Sequence, residues 1–271
     1  MGLGDEETGA GVRSFMDHRI LALALAFAPD GRPLAVGGHE PGILLYDVRD
    51  GDGGHPVGMP IACVNHLAFA PDGRLLAASS NLDPEILLWD LAAGRERARL
   101  RGHGSRVISL AFAPDGRSLA SGSQSDGAIL LWDLATSRPR RRLGVPPRPV
   151  SYLVYSQDGR WLASICDFER PVRLWDLEGR RGQRLIGTHS SASEPVAFSP
   201  DGRMLATACD DGVVRLWDPA TGAELHQLGG SDDRLTGVAF SPDGRMLATA
   251  GTDADVRLWA LAEVLGSRNQ P

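Results

Sequence analysis

HGSRVISLAFAPDGRSLASGSQSDGAILLWDL, residues 103–134, is the stretch whose reading decides the fold. Two short apolar runs, Val107 to Phe112 and Ser118 to Gly122, flank Ala113-Pro114-Asp115-Gly116. Pro presets φ for the second position of a tight turn and Gly supplies a positive φ after it, so this tetrapeptide between apolar runs reads as a hairpin. Ile129 to Leu134 then forms a third strand, and the more polar Arg138 to Leu143 a fourth. Moving outward, the same unit recurs six times. The Asp-Gly turn stands at Asp30, Asp72, Asp115, Asp158, Asp201 and Asp243, in steps of 42 or 43 residues. An aromatic follows each turn at Tyr46, Trp89, Trp132, Trp175, Trp217 and Trp259, with the same steps. Two markers in phase define a repeat whose units cannot bury their apolar faces alone and must stack on one another. Four short antiparallel strands per unit make one blade, and six blades set radially make an all-β propeller.

The repeat runs from about Leu21 to Trp259 of 271 residues, leaving no room for a second independent core. No apolar run approaches the ~18 residues that span a bilayer. Met1 to Gly11 is acidic and glycine-rich rather than basic and hydrophobic, unlike a secretion signal. These features predict a cytoplasmic protein without membrane contact. The net charge of −6 opposes nucleic-acid binding through the overall field. All 28 basic residues are Arg, a bias that, with abundant Ala, Gly and Leu, suggests a GC-rich bacterial genome. Cys63, Cys166 and Cys209 form no CxxC pair and the seven His are not grouped at ligand spacing, so neither a metal nor a disulfide framework is expected. Asp50-Gly51-Asp52-Gly53-Gly54 lacks the later acidic residue of a calcium loop and reads as a plain loop. Gly2-Leu3-Gly4 does not extend into a nucleotide-binding GxGxxG, and no cofactor is expected. The Arg clusters at 138–142 and 180–184 read as charges that protect exposed outer edges from further strand pairing.

LLWDL at 87–91 and 130–134, RLWDL at 173–177, RLWDP at 215–219 and Gly102-His103 together resemble the WD40-repeat β-propeller family over about nine-tenths of the chain. The resemblance implies a hydrogen-bonded tetrad in each blade: a His before the first strand, Ser or Thr on the second, an Asp in the next turn and the Trp on the third. The third copy offers His103, Ser121, Asp126 and Trp132, and the fifth offers His189, Thr207, Asp211 and Trp217. The sixth keeps Thr249, Asp253 and Trp259, with Ser231 in the His place. The first has His18 but Glu40 and Tyr46; the second has Pro60 for His; the fourth has Pro146 and Glu169 beside Ser164 and Trp175. A catalytic reading of His, Ser and Asp fails because no GxSxG elbow occurs, whereas a set repeated blade after blade is architecture.

Val12 to His18 aligns with Arg97 to His103, which leads into the third blade, and no outer strand follows Trp259. Residues 12–18 are therefore expected to complete the last blade and close the ring, although the alignment equally suits one part of a longer array. The expected organisation is a flexible 1–11, one six-bladed propeller over 12–262, and a tail over 263–271. The resemblance further implies docking on the face carrying the loops into each first strand. In blade order these positions are Leu21, Leu23 and His39; Cys63, Asn65 and Leu82; then Arg106, Ile108 and Ser125. They continue as Pro149, Ser151 and Phe168; Ala192, Glu194 and Asp210; then Arg234, Thr236 and Thr252. Leu82, Arg106, Phe168 and Arg234 are the expected anchors, since aromatic and Arg side chains tend to carry interface energy. The expected function is a monomeric, non-catalytic scaffold for protein or peptide partners. The alternatives are the sensor portion of a larger bacterial signalling protein and an enzyme with a site in the central channel.

Overall fold

The computed structural model describes residues 2–4, 11–14, 21–49, 54–145, 148–167, 171–179, 182–186, 196–209, 211–229 and 234–266. The chain divides into two compact units, Met1–Leu143 and Gly144–Pro271. In the first unit, β1 (Gly2–Gly4) pairs with β2 (Gly11–Ser14). Three four-stranded antiparallel sheets follow. The first blade is β3 (Ala22–Phe27), β4 (Pro33–Gly38), β5 (Ile43–Asp47) and β6 (His55–Pro56). The second is β7 (Val64–Phe69), β8 (Leu75–Ser80), β9 (Ile86–Asp90) and β10 (Arg95–Leu100). The third is β11 (Val107–Phe112), β12 (Ser118–Ser123), β13 (Ala128–Asp133) and β14 (Arg138–Gly144), which carries the chain over the boundary.

The second unit holds β15 (Val150–Tyr155), β16 (Trp161–Cys166), β17 (Val172–Asp176) and β18 (Gln183–Ile186) as the fourth blade. The fifth is β19 (Val196–Phe198), β20 (Leu205–Ala208), β21 (Val213–Trp217) and β22 (Glu224–Gly229). The sixth is β23 (Leu235–Phe240), β24 (Met246–Gly251) and β25 (Val256–Ala260), followed by α1 (Leu261–Gly266).

The hairpin turns form as the residue types dictate. In all six, the glycine amide donates to a carbonyl three residues back, from Gly31 to Ala28 (2.8 Å) through Gly244 to Ser241 (2.9 Å). The turn Asp also accepts from the amide two residues on, as Asp115 Oδ1 does from Arg117 N at 2.9 Å. Gly116 sits at φ +66°, a conformation that strains any residue with a Cβ. The matching glycines of the other five turns do the same.

Within each unit the core is made where consecutive blades meet. Ile86, Leu88 and Leu100 of the second blade pack with Val107, Leu110, Leu119 and Trp132 of the third. The fourth and fifth blades repeat the arrangement with Val172, Leu174 and Ile186 against Val196, Leu205 and Trp217. Ala, Gly and Ser on the second strands let the sheets approach closely. A Cβ at Gly37 would lie 2.6 Å from Val64 Cγ1 of the next blade.

Three expectations are met only in part by the described residues. Among them the sixth sheet shows three strands. The segment expected to complete it is described only over Gly11–Ser14, and there its pairing is with Gly2–Gly4. Residues 15–18 lie outside the described residues. At the other end, the expected tail begins inside α1, whose Leu261 is buried and packs with Val264 into the core shared by the fifth and sixth blades. An aliphatic residue every third position is enough to fold that turn of helix onto the sheet.

Candidate functional site

The most connected polar group lies inside the third blade. β12 and β13 pair Ser121 opposite Leu130 and Leu119 opposite Trp132, which places the hydroxyl beneath the indole. Trp132 Nε1 donates to Ser121 Oγ at 2.7 Å. Ser121 Oγ lies 2.7 Å from His103 Nε2, and His103 Nδ1 lies 2.6 Å from Asp126 Oδ2. Since the indole can only donate, the hydroxyl proton points at Nε2, and the neutral imidazole then donates Nδ1–H to the carboxylate. Every proton has one place, so the chain of bonds is fully satisfied.

Burial pushes the His103 imidazole below its ordinary value, against the pull of Asp126. Asp126 is also desolvated, yet bonds from Ser123, His103 and Gly104 N hold its carboxyl below the usual range. Both shifts favour a neutral His beside a carboxylate, in agreement with the geometry. Asp126 additionally caps the turn by accepting from Ala128 N at 3.0 Å. Ser121 is fully buried with its hydroxyl held between two partners, so the set orders a turn and offers no nucleophile to an external carbonyl.

Among the described residues, other blades show part of this set. Trp175 donates to Ser164 at 2.9 Å, Trp217 to Thr207 at 3.0 Å and Trp259 to Thr249 at 3.1 Å. In the fifth blade the turn carboxylate of Asp211 meets Arg215 through two bonds, at 2.6 and 3.2 Å. In the sixth, Asp253 meets Arg257 at 2.6 Å. Sequence reasoning missed these pairs. Their signal was present, because the third strand reads VRLW in these blades where ILLW stands in the second and third. His18, Pro146, Glu169, His189 and Ser231 lie outside the described residues.

On the loop-bearing ends of the blades, Leu21 (62% exposed), Leu23, His39, Leu82 (70%), Arg106, Ser125, Arg234, Thr236 and Thr252 are exposed. Cys63, Ile108, Pro149 and Ser151 are half-buried. Asn65 is committed elsewhere: its amide donates to Asn81 Oδ1 (3.0 Å) and to Val107 O of the next blade (2.9 Å), and its oxygen accepts from Ser79 (2.7 Å). Phe168, Ala192, Glu194 and Asp210 lie outside the described residues. Leu82 is held rigidly. Its amide donates to the buried Ser80 Oγ at 3.0 Å, and Asn81 N donates to Cys63 O at 2.9 Å. Beside it is a notch of about 70 Å³ lined by Pro60, Ile61, Ala62, Asp83, Glu85 and Arg99, where a His stands before the first strand in the third blade.

A larger cleft of about 720 Å³ lies at the opposite end of the fourth blade, lined by Arg160, Trp161, Asp176 and Arg184. Its cations are engaged. Arg160 stacks over Trp161 at 4.8 Å and reaches Asp176 at 3.6 Å, while Arg184 donates to Ala220 O at 2.8 Å. On the inner strands, His66 Nδ1 and Ser109 Oγ occupy the same register in β7 and β11 and are buried without a hydrogen-bond partner among the described residues. Burial pushes His66 down to about 4. Among the described residues, no group of three or more His, Cys, Asp or Glu is placed to hold a metal ion, and no helix is long and apolar enough to cross a membrane.

Repeated four-stranded sheets, Trp-to-hydroxyl bonds and Asp-Gly hairpins in constant phase define a WD-type β-propeller. The family model described as the IFT122 first beta-propeller matches residues 63–267, and the chain belongs to that family. It is also 32% identical over 101 residues to human echinoderm microtubule-associated protein-like 3, and 31% identical over 102 residues to the mouse protein. Each match covers 36% of this chain and 11% of the relative.

Proposed function

We propose that this propeller is a non-catalytic scaffold that holds protein or peptide partners on the loop-bearing ends of its blades, with Leu82, Arg106, Phe168 and Arg234 as anchors. One observation carries the reading: Leu82, a large apolar side chain, is 70% exposed on a turn fixed from below by Ser80 and Cys63. Water gains nothing from a leucine held in this way. A rigid, exposed aliphatic beside a small socket is the form of an interface anchor, because little side-chain and loop entropy remains to be lost on binding. Arg106 and Arg234 are exposed residues at equivalent first-strand starts. The acidic overall charge speaks for protein rather than nucleic-acid partners. A cytoplasmic site of action, without membrane or cofactor, accompanies this reading.

The test is affinity capture with the intact chain beside a Leu82→Ala, Arg106→Ala, Phe168→Ala, Arg234→Ala variant whose circular dichroism and melting match the parent. An Arg160→Ala variant, altered at the opposite end of a blade, is the control. A partner kept by the parent and the control but lost by the quadruple variant supports the proposal. Equal capture by all three removes it.

A further inference from the structure

In the third blade the Asp126 carboxylate takes four donors. Oδ2 receives His103 Nδ1–H at 2.6 Å and Gly104 N–H at 3.1 Å; Oδ1 receives Ala128 N–H at 3.0 Å and the Ser123 hydroxyl. Asp83 stands on the equivalent turn of the second blade, one repeat earlier, and keeps one of the four: its Oδ1 accepts from Glu85 N at 2.7 Å. Ser80 holds the place of Ser123, but its hydroxyl donates to Ala62 O at 2.7 Å. Pro60 replaces His103 and brings no side-chain donor, and Ile61, in the place of Gly104, gives its amide to Met59 O at 2.9 Å. Asp83 Oδ2 therefore meets no donor among the described residues. Asp83 is exposed, so water serves this oxygen until something better placed displaces it.

The notch of about 70 Å³ beside Leu82 is where this oxygen can be reached. Pro60, Ile61, Leu82 and Leu87 give it apolar walls, and Asp83 gives it a carboxylate. The other acid, Glu85, is engaged by Arg101 at 2.7 Å and by Arg99 at 3.6 Å. Arg99 itself lines the notch, so an incoming lysine or arginine is set beside a like charge. An imidazole avoids that cost, because it is flat, small and donates an N–H while neutral. His103 shows, at the equivalent place in the same chain, that this turn geometry accepts such a ring against its carboxylate.

We propose that the peptide segment held on the loop-bearing ends inserts a histidine side chain into this notch, where its imidazole donates to Asp83 and makes between two chains the bond that His103 and Asp126 make within one. The inference rests on the loop-face reading and supplies the chemistry of the partner. Leu82 offers apolar contact to the residues flanking the histidine, while Asp83 fixes the direction of the ring. A site that bonds a particular N–H discriminates against side chains lacking one, because its acceptor then loses water without gaining a donor. Ala78 stands where Ser121 does, so the second ring nitrogen is left to the partner or to water.

The experiment is selection of random linear peptides displayed on phage against the full chain. A Pro60→His variant, which fills the notch from within, an Asp83→Asn variant and the quadruple alanine variant of the capture experiment are run beside it, each checked for folding by circular dichroism. Peptides bound by the parent are expected to share a histidine at one fixed position. The isolated peptide should lose about tenfold in affinity when that histidine becomes alanine, and about as much on Pro60→His or Asp83→Asn in the chain. Lysine or arginine at the fixed position, no shared histidine, or no peptide selected above background overturns the proposal. Histidine peptides that bind Pro60→His as tightly as the parent overturn it too, since the notch is then not their site. Peptides without a shared histidine that bind the parent and not the quadruple variant leave the loop-face reading standing while this one falls.

Discussion

Trp132, Ser121, His103 and Asp126 show how much a single position can hold. Removing the imidazole leaves the Ser121 hydroxyl and the Asp126 carboxylate short of a partner in a buried setting, and removing the indole opens a cavity. His103→Ala and Trp132→Ala are each expected to cost about 2–4 kcal/mol, read as a lower melting temperature. Unchanged melting of both would remove the tetrad from the stability of the blade. His66 makes a second prediction at this scale. Its folded value of about 4 lies below the ordinary 6.5, so between those limits the unfolded chain takes up the proton first. Stability is therefore whole above pH 6.5 and falls as the pH drops toward 4, by about 3 kcal/mol from this residue. His103, shifted the same way, adds to the slope. His66→Leu should flatten the stability curve between pH 6.5 and about 4.5 in denaturant titrations; a slope identical to the parent would show that His66 titrates normally. The tetrad of the third blade was legible in the sequence because its spacing is local and repeated. The Asn65 bond to Val107 and the surroundings of His66 were not, because what meets an inner-strand side chain depends on how the next blade lies against it.

At the scale of the element, hairpins and blade junctions make separate demands. Gly116 has no heavy atom closer than Pro71 Cδ at 3.8 Å to the Cβ it would gain, so Gly116→Ala tests backbone strain alone. The expected cost is about 1 kcal/mol, against almost none for Gly144→Ala, which has a negative φ and open space. Equal effects would mean the left-handed turn is not strained. Gly37 tests packing instead. Gly37→Ala drives a methyl into Val64 and should cost about 1–3 kcal/mol, with Val64→Ala restoring part of it in the double variant. Additive losses would place the damage elsewhere. The turns could be read directly from APDG and SPDG. The closeness of β4 to β7 could not, since it depends on how two sheets lie against each other.

For the whole molecule, coverage sets local stability. Where consecutive blades meet within a unit their facing side chains are buried, while Leu25 of β3 and Val256 and Leu258 of β25 are exposed. Native-state hydrogen exchange should therefore be slowest in β8, β12 and β20, whose side chains are almost fully buried, and fastest in β3 and β25, whose side chains are more exposed. Uniform protection from β3 to β25 would contradict this. The amino-acid sequence by itself determined the blade: its length, its hairpins, its strand order and the family to which it belongs. All of these follow from short-range rules, in which Pro and Gly set turns and alternating apolar residues set strands. What only the tertiary structure decided is which faces are covered. Val256 and Leu258 have the same chemistry as Val214 and Leu216, yet the first pair faces water and the second is buried. Burial is not a property of the residue alone but of what packs against it, and no pattern within a repeat records that.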